Sequence, residues 1–122
     1  MGVFDSLDRV RPYAIWDGAV ARAVHGERMT FAVVDLQPNL DVPEHHHPNE
    51  QVEMVLEGFV TMTVDGESRR LGAGETYVIP GDVPHSASTG PEGASVLDVF
   101  TPTRDDWEKA QRLEPSAGAW PT

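Results

Sequence analysis

Every β-prone run in this chain is cut off by a proline or a glycine shortly after it begins. Residues 29–36 (MTFAVVDL) stop short of Pro38, and residues 51–57 (QVEMVLE) stop at Gly58. Residues 59–64 (FVTMTV) run into Asp65-Gly66, residues 76–79 into Pro80, and residues 94–101 (ASVLDVFT) into Pro102. Proline lacks the N–H that a ladder or helix needs, and glycine leaves the chain free to turn. Short alternating runs with turn signals between them predict an all-β sandwich or barrel. Asp65-Gly66 is the strongest hairpin signal, because both residues tolerate the positive φ that a tight two-residue turn requires. One helix is expected, at about 104–113. Thr103 would cap it, Asp105 and Asp106 suit its first turn, and Trp107, Ala110 and Leu113 recur at helical spacing. The tail, 115–122, is expected to be poorly ordered.

Length and charge narrow the function. A chain of 122 residues is of ordinary size for one domain, spanning 1–122. It has no cysteine, which rules out a thiol nucleophile and any thiolate-held metal or cluster. Nine basic against 20 acidic residues give a net charge of −11, so nucleic-acid phosphates and anionic membranes are poor partners. No apolar run is long enough to span a bilayer, and the first residues lack the basic stretch and apolar core of a secretory signal. A cytoplasmic location is the expectation that follows.

The chemistry gathers at histidines. His45, His46 and His47 are consecutive, and His85 lies beyond a turn-rich stretch, directly after Pro84. In an extended chain alternate side chains share a face, so His45 and His47 point one way and His46 the other. Gln51 keeps their parity and opens the next strand. Imidazole nitrogens with one oxygen donor suit a borderline divalent ion, and His85 is the natural fourth ligand. The competing reading is a solvated polar loop. His25 has no such companion and reads as a surface residue. Glu44 and Glu50 read as solvated, Met29, Met54 and Met62 as core or interface, and Tyr77 as packing or pocket-lining.

Val96, Asp98 and Phe100 fall on one face of the last strand. An acid within an apolar strand is costly to bury unless it is paired or functional. Beside a cation, Asp98 would be an acid/base candidate. Arg104 could grip a carboxylate, and Phe100 could wall off a sugar face. Alternatively, Asp98 faces solvent and Arg104 pairs with Asp105 or Glu108.

These residues resemble a known family. The run from His45 through His47 and Gln51 to Gly58 has the spacing of the first cupin motif, and Gly74, Pro80 and His85 have that of the second. Asn39 and Asp82 stand where the motifs carry glycine, and Thr89 where the second carries asparagine. The resemblance implies a cupin jelly-roll β-barrel (a double-stranded β-helix) at about 29–101, followed by the short C-terminal helix. It implies a metal held by His45, His47, Gln51 and His85, with a divalent transition ion (Ni, Zn, Fe or Mn) as cofactor. A neutral Gln51 in place of the usual acidic ligand would favour an anionic or hydroxylated small molecule. The segments HPNEQVEMVLEGFVTMTVDGE, LGAGETYVIPGDVPH and LDVFTPTRDDW are similar to the small cupins of the pectin-degradation KdgF type. That likeness implies conversion of 4,5-unsaturated monouronates to the linear 5-keto-4-deoxyuronate, with Asp98, Phe100 and Arg104 as the pocket residues. Glu53 departs from it, as an extra acid beside Gln51 that would narrow the pocket or alter its charge. Other cupin chemistries, a dioxygenase or an isomerase, and a non-catalytic ligand-binding cupin are the alternatives, since fold does not fix function. A homodimer is expected, with a small-molecule substrate and no nucleic acid or membrane partner.

Overall fold

The computed structural model describes residues 3–118. Nine strands carry the described fold: β1 (Tyr13–Trp16), β2 (Ala19–His25), β3 (Thr30–Leu36), β4 (Asp41–His45), β5 (Glu50–Val64), β6 (Glu67–Leu71), β7 (Thr76–Ile79), β8 (His85–Thr101) and β9 (Gln111–Arg112). All neighbours pair antiparallel. The order is β6-β5-β8-β3-β2-β1-β9, with β4 on β8 and β7 on β5. This is the jelly-roll architecture that the motifs imply. Among the described residues no helix is long and apolar enough to cross a membrane.

The ladder between β5 and β8 is the spine, running from Glu50 opposite Thr101 to Val64 opposite His85. It does not run straight. Gly58 and Gly93 take φ of +73° and +70°, and the register shifts on both sides of Gly58. Beyond that point residues 90–93 drop out of the pairing, so that Gly58 faces Ala94 while Val60 faces Thr89. Gly58 therefore does not end the strand, as its backbone freedom suggests it would; it bends it. The shift also changes parity. Gln51, Glu53 and Val55 point inward before the bend, and Val60 and Met62 after it.

Val55, Val60 and Val96 are fully or almost fully buried and pack with Ile79 and Phe100 in the core. Each contributes about 1.5–3 kcal/mol by leaving water. The hairpin from β5 to β6 turns at Asp65 and Gly66, with φ of +48° and +84°, the conformation expected of that pair. Asn39 and Asp82, which replace motif glycines, also hold positive φ, +55° and +63°. Asn and Asp are the residues other than glycine that best accept that region.

The C-terminal segment departs from expectation in the extent of its helix. Instead of a helix over 104–113 there is one 3₁₀ turn, Asp105–Lys109, and then β9, paired to β1 through Tyr13 and Arg112. Thr103 spends its hydroxyl on the Asp105 carboxylate and caps nothing, Trp107 is buried in the core, and Ala110 is already extended. Residues 115–118 carry no regular structure, and Arg22 ties two of them to the sheet. The buried Arg22 donates to the carbonyl oxygens of Ser116 and Ala117 and to the Ser116 hydroxyl, while its other nitrogen pairs with Asp35 at 2.7 Å. The expectation for 119–122 lies outside the described residues.

A Cβ at Gly58 would sit 2.2 Å from the Gly93 carbonyl oxygen, on a backbone that L side chains rarely adopt. Gly58→Ala is expected to destabilise the protein by at least about 2 kcal/mol, read as a lower midpoint in urea unfolding. Gly66→Ala, with nothing within 4 Å of its Cβ, is expected to be milder.

Candidate metal centre

Three histidines reach one point from three parts of the fold. His45 ends β4, His85 opens β8 directly opposite it, and His47 lies in the connection that leads into β5. Each ring places Nδ1 on a backbone carbonyl: His45 on Pro43 at 2.8 Å, His47 on Asn49 at 3.0 Å and His85 on Val83 at 2.8 Å. A carbonyl only accepts, so Nδ1 carries the proton and Nε2 presents a lone pair. The ligand atoms of the three rings lie within 4.8 Å of one another. His46 points away, exposed, with Asp82 at 3.6 Å.

The centre is rich in acceptors and poor in donors. His85 Nε2 is buried without a hydrogen-bond partner among the described residues. His47 Nε2 faces Gln51 Oε1 at 3.1 Å, one lone-pair atom against another. Buried polar atoms are rarely left in this way. Converging lone pairs are what a cation requires, so the three histidines fit a metal ion, and the imidazole donor set suits a borderline divalent one. Backbone carbonyls that hold the outer nitrogen of each ring are the usual support of ligating histidines. The solvated-loop reading of these histidines fails, because His47 and His85 are buried.

Behind Gln51 lies an acidic pair. Glu53 and Asp98 face each other across β5 and β8 and are both buried. Gln51 Nε2 donates to Asp98 at 2.9 Å and to Glu53 at 3.2 Å, and the Tyr77 hydroxyl donates to the other Glu53 oxygen. Burial raises the Glu53 pKa well above the ordinary carboxylate range, and the neighbouring Asp98 adds to this. Burial also raises Asp98. Asp98 thus faces the interior, not solvent.

Arg104 leans into the same cavity. Its guanidinium carbon lies 4.6 Å from the Phe100 ring centre and 4.8 Å from that of Trp107. It binds Asp106 through Nε and Nη2 at 2.9 and 2.8 Å, rather than Asp105 or Glu108. Those bonds lower the Asp106 pKa. The Arg104 backbone N–H donates to Thr30 Oγ1, which also contacts His25 Nδ1 at 2.8 Å, and His25 Nε2 meets the Tyr13 hydroxyl at 3.0 Å. His25 is therefore no plain surface residue; it anchors the segment that carries Arg104. Asp106 and this tie were missed in the sequence. Only the position of Asp106 two residues beyond Arg104 hinted at a pair.

The three histidines, Gln51, Glu53, Asp98, Arg104 and Asp106 open on one cavity of about 510 Å³, with Val34, Val96 and Phe100 among its apolar walls. That is room for a small molecule. Glu44 and Glu50 are exposed, and Tyr77 lines the cavity.

Comparison with known proteins agrees with this geometry. The family model described as Cupin domain matches residues 32–100. Dimethylsulfoniopropionate lyase DddW of Ruegeria pomeroyi is 32% identical over 65 residues, 53% of this chain and 43% of the lyase. Pectin degradation protein KdgF of Dickeya dadantii is 28% identical over 68 residues, 56% of this chain and 62% of that protein. The chain thus spans less than two thirds of the length of these two relatives. The structure of KdgF from Halomonas sp. superposes with a TM-score of 0.77 at 25% identity, covering 87% of this chain and 98% of that one. The chain belongs to the cupin domain family.

Burial holds His85 neutral down to a pKa of about 4, against an ordinary 6.5, and lowers His47 in the same direction. Between those values the unfolded chain binds more protons, so these histidines make the fold less stable as pH falls. The raised pKa values of Glu53 and Asp98 act with the opposite sign. The comparison that isolates the histidine is therefore between variants. Metal-free His85→Gln is expected to lose less Tm than wild type between about pH 7 and pH 4.5, measured by thermal unfolding.

Proposed function

We propose that this cupin is a metal-dependent enzyme that converts a 4,5-unsaturated monouronate to the linear 5-keto-4-deoxyuronate. The observation that carries the reading is that Asp98, Phe100 and Arg104 open on the same cavity as the three histidines. The likeness to two KdgF proteins supports the substrate class.

His45, His47 and His85 would hold the ion, with Gln51 Oε1 as the oxygen ligand. A bound divalent ion supplies Lewis acidity toward substrate oxygens. The residues of the chain do the rest. Arg104 commits two N–H groups to Asp106, and its remaining N–H groups grip the substrate carboxylate. Phe100 lies beneath the guanidinium and against His47, at 5.8 Å between ring centres, and walls one side of the sugar. Asp98 moves the proton. Its raised pKa brings it closer to neutral pH, where a general acid and base works best.

The reaction balances as an isomerisation. Water adds across the enol ether: Asp98 gives its proton to C4, the water oxygen bonds to C5, and the ionised Asp98 takes the proton that the water loses. The C5 hydroxyl then collapses to the ketone as the bond from C5 to the ring oxygen breaks, and its proton passes by way of Asp98 to that ring oxygen. C1 is left as an aldehyde hydrate, which releases the water.

The test is an NMR time course with 4,5-unsaturated galacturonate. Metal-loaded protein is expected to convert it faster than the spontaneous rate, and chelation to abolish the gain. Asp98→Asn is expected to lower kcat by roughly 10²–10⁴-fold with metal content unchanged. No acceleration by metal-loaded protein overturns the uronate reading.

A further inference from the structure

The amide of Gln51 has two ends, and only one of them can serve a cation. Its Nε2 faces two carboxylates, Glu53 at 3.2 Å and Asp98 at 2.9 Å, and its Oε1 faces His47 Nε2 at 3.1 Å. A flipped amide would set its oxygen against both carboxylates and its N–H groups toward the imidazole lone pair. Judged on hydrogen bonds alone, the count is two acceptors against one in favour of the observed orientation. Without Glu53 the count is one against one, and the preference for the oxygen-inward orientation vanishes.

Glu53 is itself held in place. It is buried, and the Tyr77 hydroxyl occupies the oxygen that Gln51 leaves free. Tyr77 belongs to β7, whose pairing with β5 sets it directly opposite Glu53. An acid buried at 5% exposure in a strand is expensive unless something uses it. The reaction outlined above does not use it.

We propose that Glu53, braced by Tyr77, is a positioning residue that fixes the Gln51 amide with its oxygen toward the three histidines. The proposal rests on the metal-centre reading of those histidines, but not on the uronate reaction. It makes Glu53 the residue that allows a neutral side chain to stand as an oxygen ligand.

The probe is Co(II) alone, titrated into metal-free protein against a competing chelator, with the visible absorption spectrum recorded. Three variants are compared: Glu53→Ala, Glu53→Gln and Tyr77→Phe. Glu53→Ala is expected to weaken Co(II) binding about 10–100-fold, as loss of a group that orients a ligand does, and to change the absorption bands. Glu53→Gln keeps an acceptor oxygen without the charge and is expected to recover most of the affinity and the wild-type bands. Tyr77→Phe removes only a hydroxyl and is expected to fall between the two; it serves as the decisive variant if Glu53→Ala does not fold. Wild-type affinity and bands in both Glu53→Ala and Tyr77→Phe overturn the proposal. So does a Glu53→Gln protein as weak as Glu53→Ala, because the effect would then be one of charge and not of orientation. Wild-type protein that takes up no Co(II) overturns the metal centre together with this proposal. Tight Co(II) binding with the expected variant pattern, but no uronate turnover, supports the proposal and sinks the uronate reading alone.

Discussion

The centre exists because one ladder folds back on itself. β5 and β8 pair from Glu50–Thr101 to Val64–His85, and the two ends of that pairing belong to opposite ends of a long ribbon. Yet His85, at one end, shares a centre with His47, which touches Gln51 at the other end. The bend at Gly58 and Gly93 makes that meeting possible. Two strands approach so closely there that the space for a single Cβ is already filled by a carbonyl oxygen. Backbone hydrogen bonds set the register, the register sets the opposite pairs Gln51–Phe100 and Glu53–Asp98, and those pairs furnish the cavity.

The cavity inverts the usual pattern of a half-buried strand. In the first part of β5 the inward face carries Gln51, Glu53 and Val55, whereas Val52 is 43% exposed on the outer face. Burying an amide and an acid while a valine faces outward runs against the hydrophobic effect. The arrangement survives because the acidic side of this layer is fully partnered. The Gln51 amide nitrogen, both Glu53 oxygens and the Asp98 carboxylate are hydrogen-bonded to one another or to Tyr77. A fully connected buried network tends to rigidify a core, where a half-connected one would weaken it. Past the bend the rule returns, with Val60 and Met62 inside.

Much of this was legible in the sequence, and for stated physical reasons. Strand parity put His45, His47 and Gln51 on one face, and the cupin resemblance added His85 to them. Asp65-Gly66 announced its own turn. The strands that escaped notice were those without an apolar alternation to show them. β2 is built on alanines, β6 reads ESRRL, and the first half of β8 reads as a polar loop. The C-terminal helix was misread because Trp107, Ala110 and Leu113 do recur at helical spacing. Burial of Trp107 against Phe100 and Tyr13, and the pairing of β9 with β1, override so short a local preference. Contacts between distant residues were out of reach. Neither the Tyr77–Glu53 bond nor the chain from Tyr13 through His25 and Thr30 to Arg104 leaves a local trace.

The three carbonyls that hold the imidazoles carry a consequence for binding. Each ring is tethered to backbone two residues away, at Pro43, Asn49 and Val83, and not to another side chain. The rotamer freedom that an incoming ligand would otherwise have to freeze has been surrendered during folding. An ion bound by these histidines would enter a cage already set and leave one that keeps its shape. Exchange of one ion for another would then be a matter of supply and of ligand softness, with little structural memory of the previous occupant.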